Sequence, residues 1–373
     1  MAKESSPLPP APAAHLKTPA EKITALIKHA VAEGASDLHL RAKDHPRFRV
    51  DGELYPDPSL VLTEDDLIQY YRQTLKPDQF ERFESYRELD FSTHLLEVCR
   101  MRVNLYRQRG AFCVAIRIIP SRIPTMKEIY LPKACYQFTQ LRQGLVLATG
   151  PTGCGKTTTL AAMVDHINQR RRAHILTIED PIEYRYEDKQ SMISQREVDL
   201  DTLSFEMALR HSFREDPDVI LLGEMRDLET MQIALTLAET GHLTFSTLHT
   251  GEAAQTVSRI VDAFPPHQQP QIRVQLAASL EGIISQQLLP IKGKRGRVAA
   301  REVLVCTRAV KNLIREGKVA QISSAIQTGA DVGMIPMNFS LGYLYRRGII
   351  SYETALAAAY DQQAFKNKYG PGR

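Results

Sequence analysis

The chain has 373 residues, enough for two domains, and its 43% hydrophobic and 24% charged residues are the proportions of an ordinary soluble protein. A net charge of +4 is too small to argue by itself for a nucleic-acid or membrane partner, and no apolar run approaches the roughly 20 residues of a membrane span. The five cysteines, at positions 99, 113, 135, 154 and 306, are odd in number and lack metal-like spacing, which predicts reduced thiols in a cytoplasmic protein.

Residues 1–18 carry four prolines by Pro12 and no apolar signal-peptide core, so a disordered tail is expected there. From Ala20 to Glu33, Ile23, Leu26, Ile27, Ala30 and Val31 share one helical face, and Gly34 supplies a stop. The stretches SDLHLR and RFRVDG alternate as strands do, Thr63 can cap a helix through Tyr71, and strand-like runs follow at 89–93, 100–106 and 112–119. These elements predict a small α+β domain over 19–119. PSRIPT, with two prolines in six residues, predicts a linker over 120–126.

Beyond it, LVLATGPTGCGKTTTLAAMV runs from a buried strand through a glycine-rich turn into a helix. Gly150-x-x-x-x-Gly155-Lys156-Thr157 is a P-loop pattern in the right context. Its glycines let successive N–H groups turn inward, and the helix start adds free N–H groups and a positive dipole end. Gly150, Pro151, Thr152, Gly153, Cys154, Gly155, Lys156, Thr157 and Thr158 are therefore the expected nucleotide cradle, with Lys156 on the β- and γ-phosphates and Thr157 on Mg²⁺. Cys154, at a helix N-terminus, is expected to favour its thiolate and to react with alkylating agents.

Strands and helices then alternate: HILTIE, a helical segment at 208–214, DVILLG, a helix at 228–239 and LTFSTL. Near-continuous apolar strands alternating with helices predict an α/β domain, its parallel sheet covered on both faces, with ligands at the carboxyl ends of the strands. Residues from about 265 read as mostly helical, with one strand at 297–304, and 366–373 as a tail. The basic runs at 170–172 and 292–297 are short, lie between elements and read as solvated loops.

The ends of the apolar strands carry Glu179, Asp180 and Glu183, then Glu224, then His249, with His242 just before its strand. A nucleotide hydrolase needs one group on the metal side and one to orient the attacking water. The Walker-B position usually held by Asp is Gly223, followed by Glu224. Glu224 then suits the metal side and Glu183 the base, although the residues alone leave those roles interchangeable. The two histidines lack the further ligands of a zinc site, which leaves phosphate contact or packing.

At TGPTGCGKTTTLA, ILTIEDPIEY, REDPDVILLGEMRD and AETGHLTFSTLHT the chain resembles the Walker A, Asp box, Walker B and His box of the PilT-like secretion ATPases. The resemblance runs from about 21 to 355, through GASDLHLR and RFRVDGEL to RVAAREVLV and AVKNLIREGKVAQISSAIQTG. It implies a PAS-like N-terminal domain, a RecA-like motor domain over 127–365, and a homo-hexameric, Mg²⁺-dependent ATPase. Such rings serve membrane-embedded pilus or secretion machines from the cytoplasmic face of the inner membrane, through protein partners and without direct nucleic-acid binding. It further implies Glu183 as base, Glu224 near Mg²⁺, His242 and His249 as γ-phosphate sensors, and Arg102 and Arg117 as arginines that reach the nucleotide. Three departures stand out: Cys154 for the usual Ser, Asn338 where an Asp is expected, and the Pro-rich N-terminal extension. They lean toward the DotB-type ATPases of type IVB secretion and conjugation, with pilus retraction as the alternative.

Overall fold

The computed structural model describes residues 9–12, 16–95, 98–119 and 122–370. The chain divides into two compact units between Arg122 and Ile123. Pro120 and Ser121 of the expected linker lie outside the described residues, and Met126, its last residue, is buried in the core of the second unit.

The first unit opens with α1 (Pro19–Ala32), held by a capping box between Thr18 and Glu21. Strands β1 (Asp37–Arg41), β2 (Arg47–Val50) and β3 (Glu53–Pro56) follow, then α2 (Glu64–Thr74) and α3 (Pro77–Tyr86). The long strands β4 (Glu88–Leu95), β5 (Cys99–Gln108) and β6 (Ala111–Ile119) complete an antiparallel sheet in the order β3-β2-β1-β6-β5-β4. Burial alternates along β1 and β2, because one face packs under the helices while the other stays open. Leu38, Leu40, Phe48, Val103, Phe112 and Ile116 join Ile23, Leu26, Tyr71 and Phe83 in one core.

The expected N-terminal tail is partly built into this unit. Ala11 is buried, its N–H donating to Asp57 Oδ2 at 2.9 Å, and Leu16 packs on the same core. Residues 1–8 and 13–15 lie outside the described residues.

The second unit begins with α4 (Lys133–Phe138) and alternates as expected: β7 (Gly144–Thr149), α5 (Lys156–Asn168), β8 (His174–Glu179), β9 (Met192–Glu197), α6 (Phe205–Ser212), β10 (Val219–Leu222), α7 (Leu228–Glu239) and β11 (Leu243–Leu248). After α8 (Ala253–Asp262) and α9 (Gln269–Ser279) come β12 (Leu280–Pro290) and β13 (Arg297–Val305), then α10 (Arg308–Arg315), α11 (Ile322–Thr328), α12 (Met337–Arg346), α13 (Tyr352–Ala358) and α14 (Gln362–Tyr369). The strands order as β13-β12-β7-β11-β10-β8-β9, parallel except for β13. All six residues of β7 and of β11 are buried, since helices cover both faces. Leu145 and Leu147 pack into one layer, Val146 and Ala148 into the other.

Two strands of this unit were not legible in the sequence. β12 reads as a continuation of the preceding helix because α9 passes into it at Leu280 with no turn residue between. β9 is an edge strand whose polar residues give little alternation. The expected tail from 366 is also corrected: α14 continues to Tyr369, and Phe365 and Tyr369 are buried. Gly342 permits that contact, since a Cβ there would lie 2.2 Å from the Tyr369 ring.

Candidate nucleotide-binding and catalytic site

β7 ends at Thr149, and the chain turns through Gly150, Gly153 and Gly155 at φ of 138°, 76° and 89° before α5 begins at Lys156. An L-residue rarely adopts those angles, so the glycines make the loop possible. Gly150 is also a close approach: a Cβ would meet the Gln286 carbonyl at 2.3 Å and the Cys154 sulfur at 2.7 Å.

Lys156 is buried, with Nζ donating to the carbonyls of Gly150 at 2.8 Å and Pro151 at 3.2 Å. Burial lowers its pKa, opposed by Cys154, Glu224 and Glu183. Its Nζ also lies 3.4 Å from His249 Nδ1, and His249 Nε2 lies 3.0 Å from Glu224 Oε1. A neutral ring protonated on Nε2 serves both contacts, accepting from lysine and donating to carboxylate. Arg226 Nε completes the chain by donating to Glu224 Oε2 at 3.0 Å, and its guanidinium is 3.9 Å from Asp180. These residues come from the carboxyl ends of three different strands, β8, β10 and β11, which the parallel sheet brings to the edge that carries the P-loop.

Glu183 is half-buried, just beyond the cis Asp180–Pro181 peptide that follows β8. Glu179, at the end of β8, is fully enclosed, and burial pushes its pKa up to about 7 although Thr177 Oγ1 donates to it at 2.7 Å and Gln195 Nε2 at 3.3 Å. Thr158 of the expected cradle bonds Tyr184 through its hydroxyl at 3.0 Å.

His242 is corrected. It precedes β11, whose first residue pairs with the first residue of β7, so it stands at the amino edge of the sheet, on the order of 20 Å along the strand from His249. There its Nδ1 meets the Leu237 carbonyl at 3.0 Å and its ring packs on Phe213. Within its own chain it does not reach the P-loop. Cys154 is corrected as to reactivity: its thiol is buried against Gly150, and desolvation raises its pKa, outweighing Lys156 and the helix start.

In the first unit Arg102 and Arg117 occupy directly opposed positions on β5 and β6. The same row continues through Asp37 on β1 to Arg49 on β2. Arg117 Nε donates to Asp37 at 3.1 Å, Arg49 lies 3.9 Å from the same carboxylate, and Arg102 is exposed. Two arginines thus share one acid, and Arg102 stands beside Arg117 on the next strand. Opposed like charges cost stability in a sheet, which is understandable if an anion is to be met there. Arg210 on α6, in the second unit, is paired with Glu206 at 2.6 Å and Glu229 at 2.9 Å.

The cradle suits a polyphosphate: inward-turning glycines, a helix N-terminus and a buried lysine whose Nζ is held by carbonyls and an imidazole. Among the described residues no group of three or more His, Cys, Asp or Glu is placed to hold a metal unaided. Mg²⁺ in nucleotide sites takes one or two protein ligands with phosphate oxygens and water, and Thr157 with Glu224 is a donor set of that kind.

Residues 14–334 match the family described as type II/IV secretion system protein. The chain belongs to that family. It is a PilT-like ATPase, 47% identical over 333 residues to the type IV pilus retractation ATPase PilT of Pseudomonas aeruginosa, with 89% of this chain and 96% of that protein aligned. It is 44% identical to a twitching motility protein of Neisseria gonorrhoeae, with 86% of this chain and 85% of that protein aligned. The structure of the pilus retraction motor PilT with bound ADP superposes with a TM-score of 0.82 at 45% identity, over 92% of this chain and 98% of that one. The Legionella pneumophila ATPase DotB superposes equally well, at 0.82, but at 28% identity, over 93% of this chain and 97% of that one.

The RecA-like architecture expected of the motor and the α+β unit before it hold in these comparisons. Sequence reasoning missed Tyr184, Arg226 and Gln286. Tyr184 and Arg226 stood inside recognised motifs. Gln286 lay in the strand that read as helix, and the GKRG turn after Pro290, ahead of a strand-like run, was the signal for a hairpin there.

Proposed function

We propose that this PilT-like ATPase is a pilus-retraction motor, and not, as the departures in its motifs suggested, a DotB-type secretion ATPase. The two structural neighbours fit with the same TM-score, so the fold does not discriminate between them. The carrying observation is the 47% identity to the retraction ATPase across nearly its whole length, against 28% to DotB.

In the proposed reaction the P-loop amides and Lys156 take up the β- and γ-phosphates, Lys156 exchanging its carbonyl contacts for phosphate oxygens. Mg²⁺, held by Thr157 and Glu224, would supply charge neutralisation. The Glu183 carboxylate accepts the proton of a water whose oxygen attacks the γ-phosphorus, and the bond to the β–γ bridging oxygen breaks, leaving ADP and phosphate. His249 reports the γ-phosphate to Glu224, because its ring already joins Lys156 to that carboxylate. Arg102 and Arg117 act on a neighbouring subunit's nucleotide in a homo-hexamer that works on a membrane-embedded pilus apparatus. Among the described residues no helix is long and apolar enough to cross a membrane, so attachment to that apparatus would run through protein partners.

The test is complementation. Expression in a bacterium that lacks its retraction ATPase should restore twitching motility, and Lys156→Ala should not. Restoration of type IVB secretion instead, in a host lacking that ATPase, would overturn the retraction reading while keeping the ATPase.

A further inference from the structure

β12 lies beside β7 with Ser285 paired to Thr149, the last residue of β7, and it continues to Pro290 while β7 gives way to the P-loop. Gln286 is therefore the first residue of β12 to flank the loop instead of a strand. It is 1% exposed. Its Nε2 donates to the Cys154 carbonyl at 2.8 Å, and its Oε1 accepts from the Thr159 hydroxyl at 2.9 Å. Its own carbonyl occupies the space that a side chain at Gly150 would need. One residue thus touches the start of the loop, its last turn and the first turn of α5, from more than 120 positions away in the chain.

We propose that Gln286 is a positioning residue that sets the phosphate-binding conformation of the P-loop, a role that rests on the nucleotide reading above. In a trans peptide the C=O and the following N–H point in opposite directions. Drawing the Cys154 carbonyl back onto Gln286 turns the Gly155 N–H away from β12, toward the inside of the loop, where P-loop amides meet phosphate. The Thr159 contact fixes α5 against the same amide, so loop and helix start are held in one register. A primary amide suits the place because it donates to one partner and accepts from the other. A carboxylate would lose the donor and put a negative charge beside the phosphate site. An apolar residue would fill the space and leave the peptide free to turn.

The experiment compares the full-length wild type with Gln286→Met, Gln286→Glu and Thr159→Val by thermal melting, ADP binding, competitive inhibition by inorganic pyrophosphate, and steady-state ATPase kinetics. Gln286→Met should melt near the wild-type temperature. Its ADP affinity and pyrophosphate inhibition should weaken together by about tenfold, the value of one well-made hydrogen bond, with a rise in KM exceeding the fall in kcat. Gln286→Glu should bind more weakly still, and Thr159→Val, which keeps the Cys154 contact, should lose less than either. A merely structural role would lower the melting temperature without a selective loss of pyrophosphate binding, and that result overturns the proposal. If Gln286→Met does not fold, Gln286→Asn, one methylene too short to span both partners, takes its place with the same expected loss. Wild-type binding of ADP with unchanged binding by the folded variants overturns the inference alone. A wild type that binds neither ADP nor pyrophosphate overturns the nucleotide reading and the inference with it.

Discussion

The two sheets of this molecule solve opposite problems. In the motor unit both faces of the sheet are covered, and β7 and β11 are buried along their whole length. Such strands have no face to spare for chemistry, so the functional groups collect where the strands end and the backbone is free to turn. In the first unit only one face is covered, and the strands alternate. Its open face carries the row Arg49, Asp37, Arg117 and Arg102 across four neighbouring strands. A two-sided sheet thus concentrates a site at its edge, whereas a one-sided sheet displays charge across its surface.

The largest test of this contrast lies at the motor edge. Lys156→Ala should abolish phosphate release and weaken ATP binding, because the phosphates lose a point charge that alanine cannot replace. Glu183→Gln keeps the size and removes the base. Calorimetry should show ATP still bound while hydrolysis drops by roughly 10²-fold or more. Near-normal turnover in that variant would move the base role elsewhere, with Glu224 the next candidate.

The open face is expected to serve a different chain. An arginine that meets the transferring phosphoryl group contributes on the order of 10³-fold in rate. Arg117→Ala subunits and Glu183→Gln subunits should each be nearly inactive alone, yet rings mixed from both should regain activity at interfaces that keep a sound base and a sound arginine. Arg102→Ala should behave likewise. Mixed rings that form, as judged by subunit exchange, but recover nothing at any ratio would sink the in-trans role.

A smaller effect separates buried charge from catalytic charge. Glu302 on β13 accepts from the Ala253 N–H at 2.9 Å, and burial pushes its pKa up to about 7. Its folded pKa exceeds the unfolded value of 4.5, so the folded protein holds the proton more tightly. Stability therefore falls as pH rises from about 4.5 through about 7 and is then level. Glu302→Gln keeps an acceptor and removes the charge. It should melt higher than wild type at pH 8, by up to about 3 kcal/mol in stability, and no higher at pH 4. Equal melting temperatures at both pH values would mean that the carboxylate is solvated or paired.

The smallest expected effect concerns the thiols. All five cysteines are buried. A maleimide should label none of them quickly in the native protein, Cys154 included. Mass spectrometry that found Cys154 labelled at the rate of a free thiol would show that the P-loop opens more readily than its packing against Gly150 implies.

Local chemistry made much of this legible in the sequence. A P-loop is a continuous segment whose glycines, lysine and hydroxyls must stand at set spacing, so Gly150 to Thr158 declared themselves without the fold. Fully apolar strands between helices announced a parallel sheet, and that sheet placed Glu224 and His249 at one edge. The role of His242 as a phosphate sensor came from the resemblance and not from the sheet: His242 precedes β11, and the register of β11 on β7 keeps it at the amino edge, a strand's length from His249. Local reasoning erred for the Cys154 thiol, whose environment is set by burial rather than by its helix start. What tertiary structure alone decided was the set of long-range contacts: Gln286 on the P-loop, His249 between Lys156 and Glu224, and Arg117 and Arg49 on Asp37. These depend on which strands lie side by side. The order of strands in a sheet is fixed by the packing of the whole domain, while local pattern specifies only what each strand is.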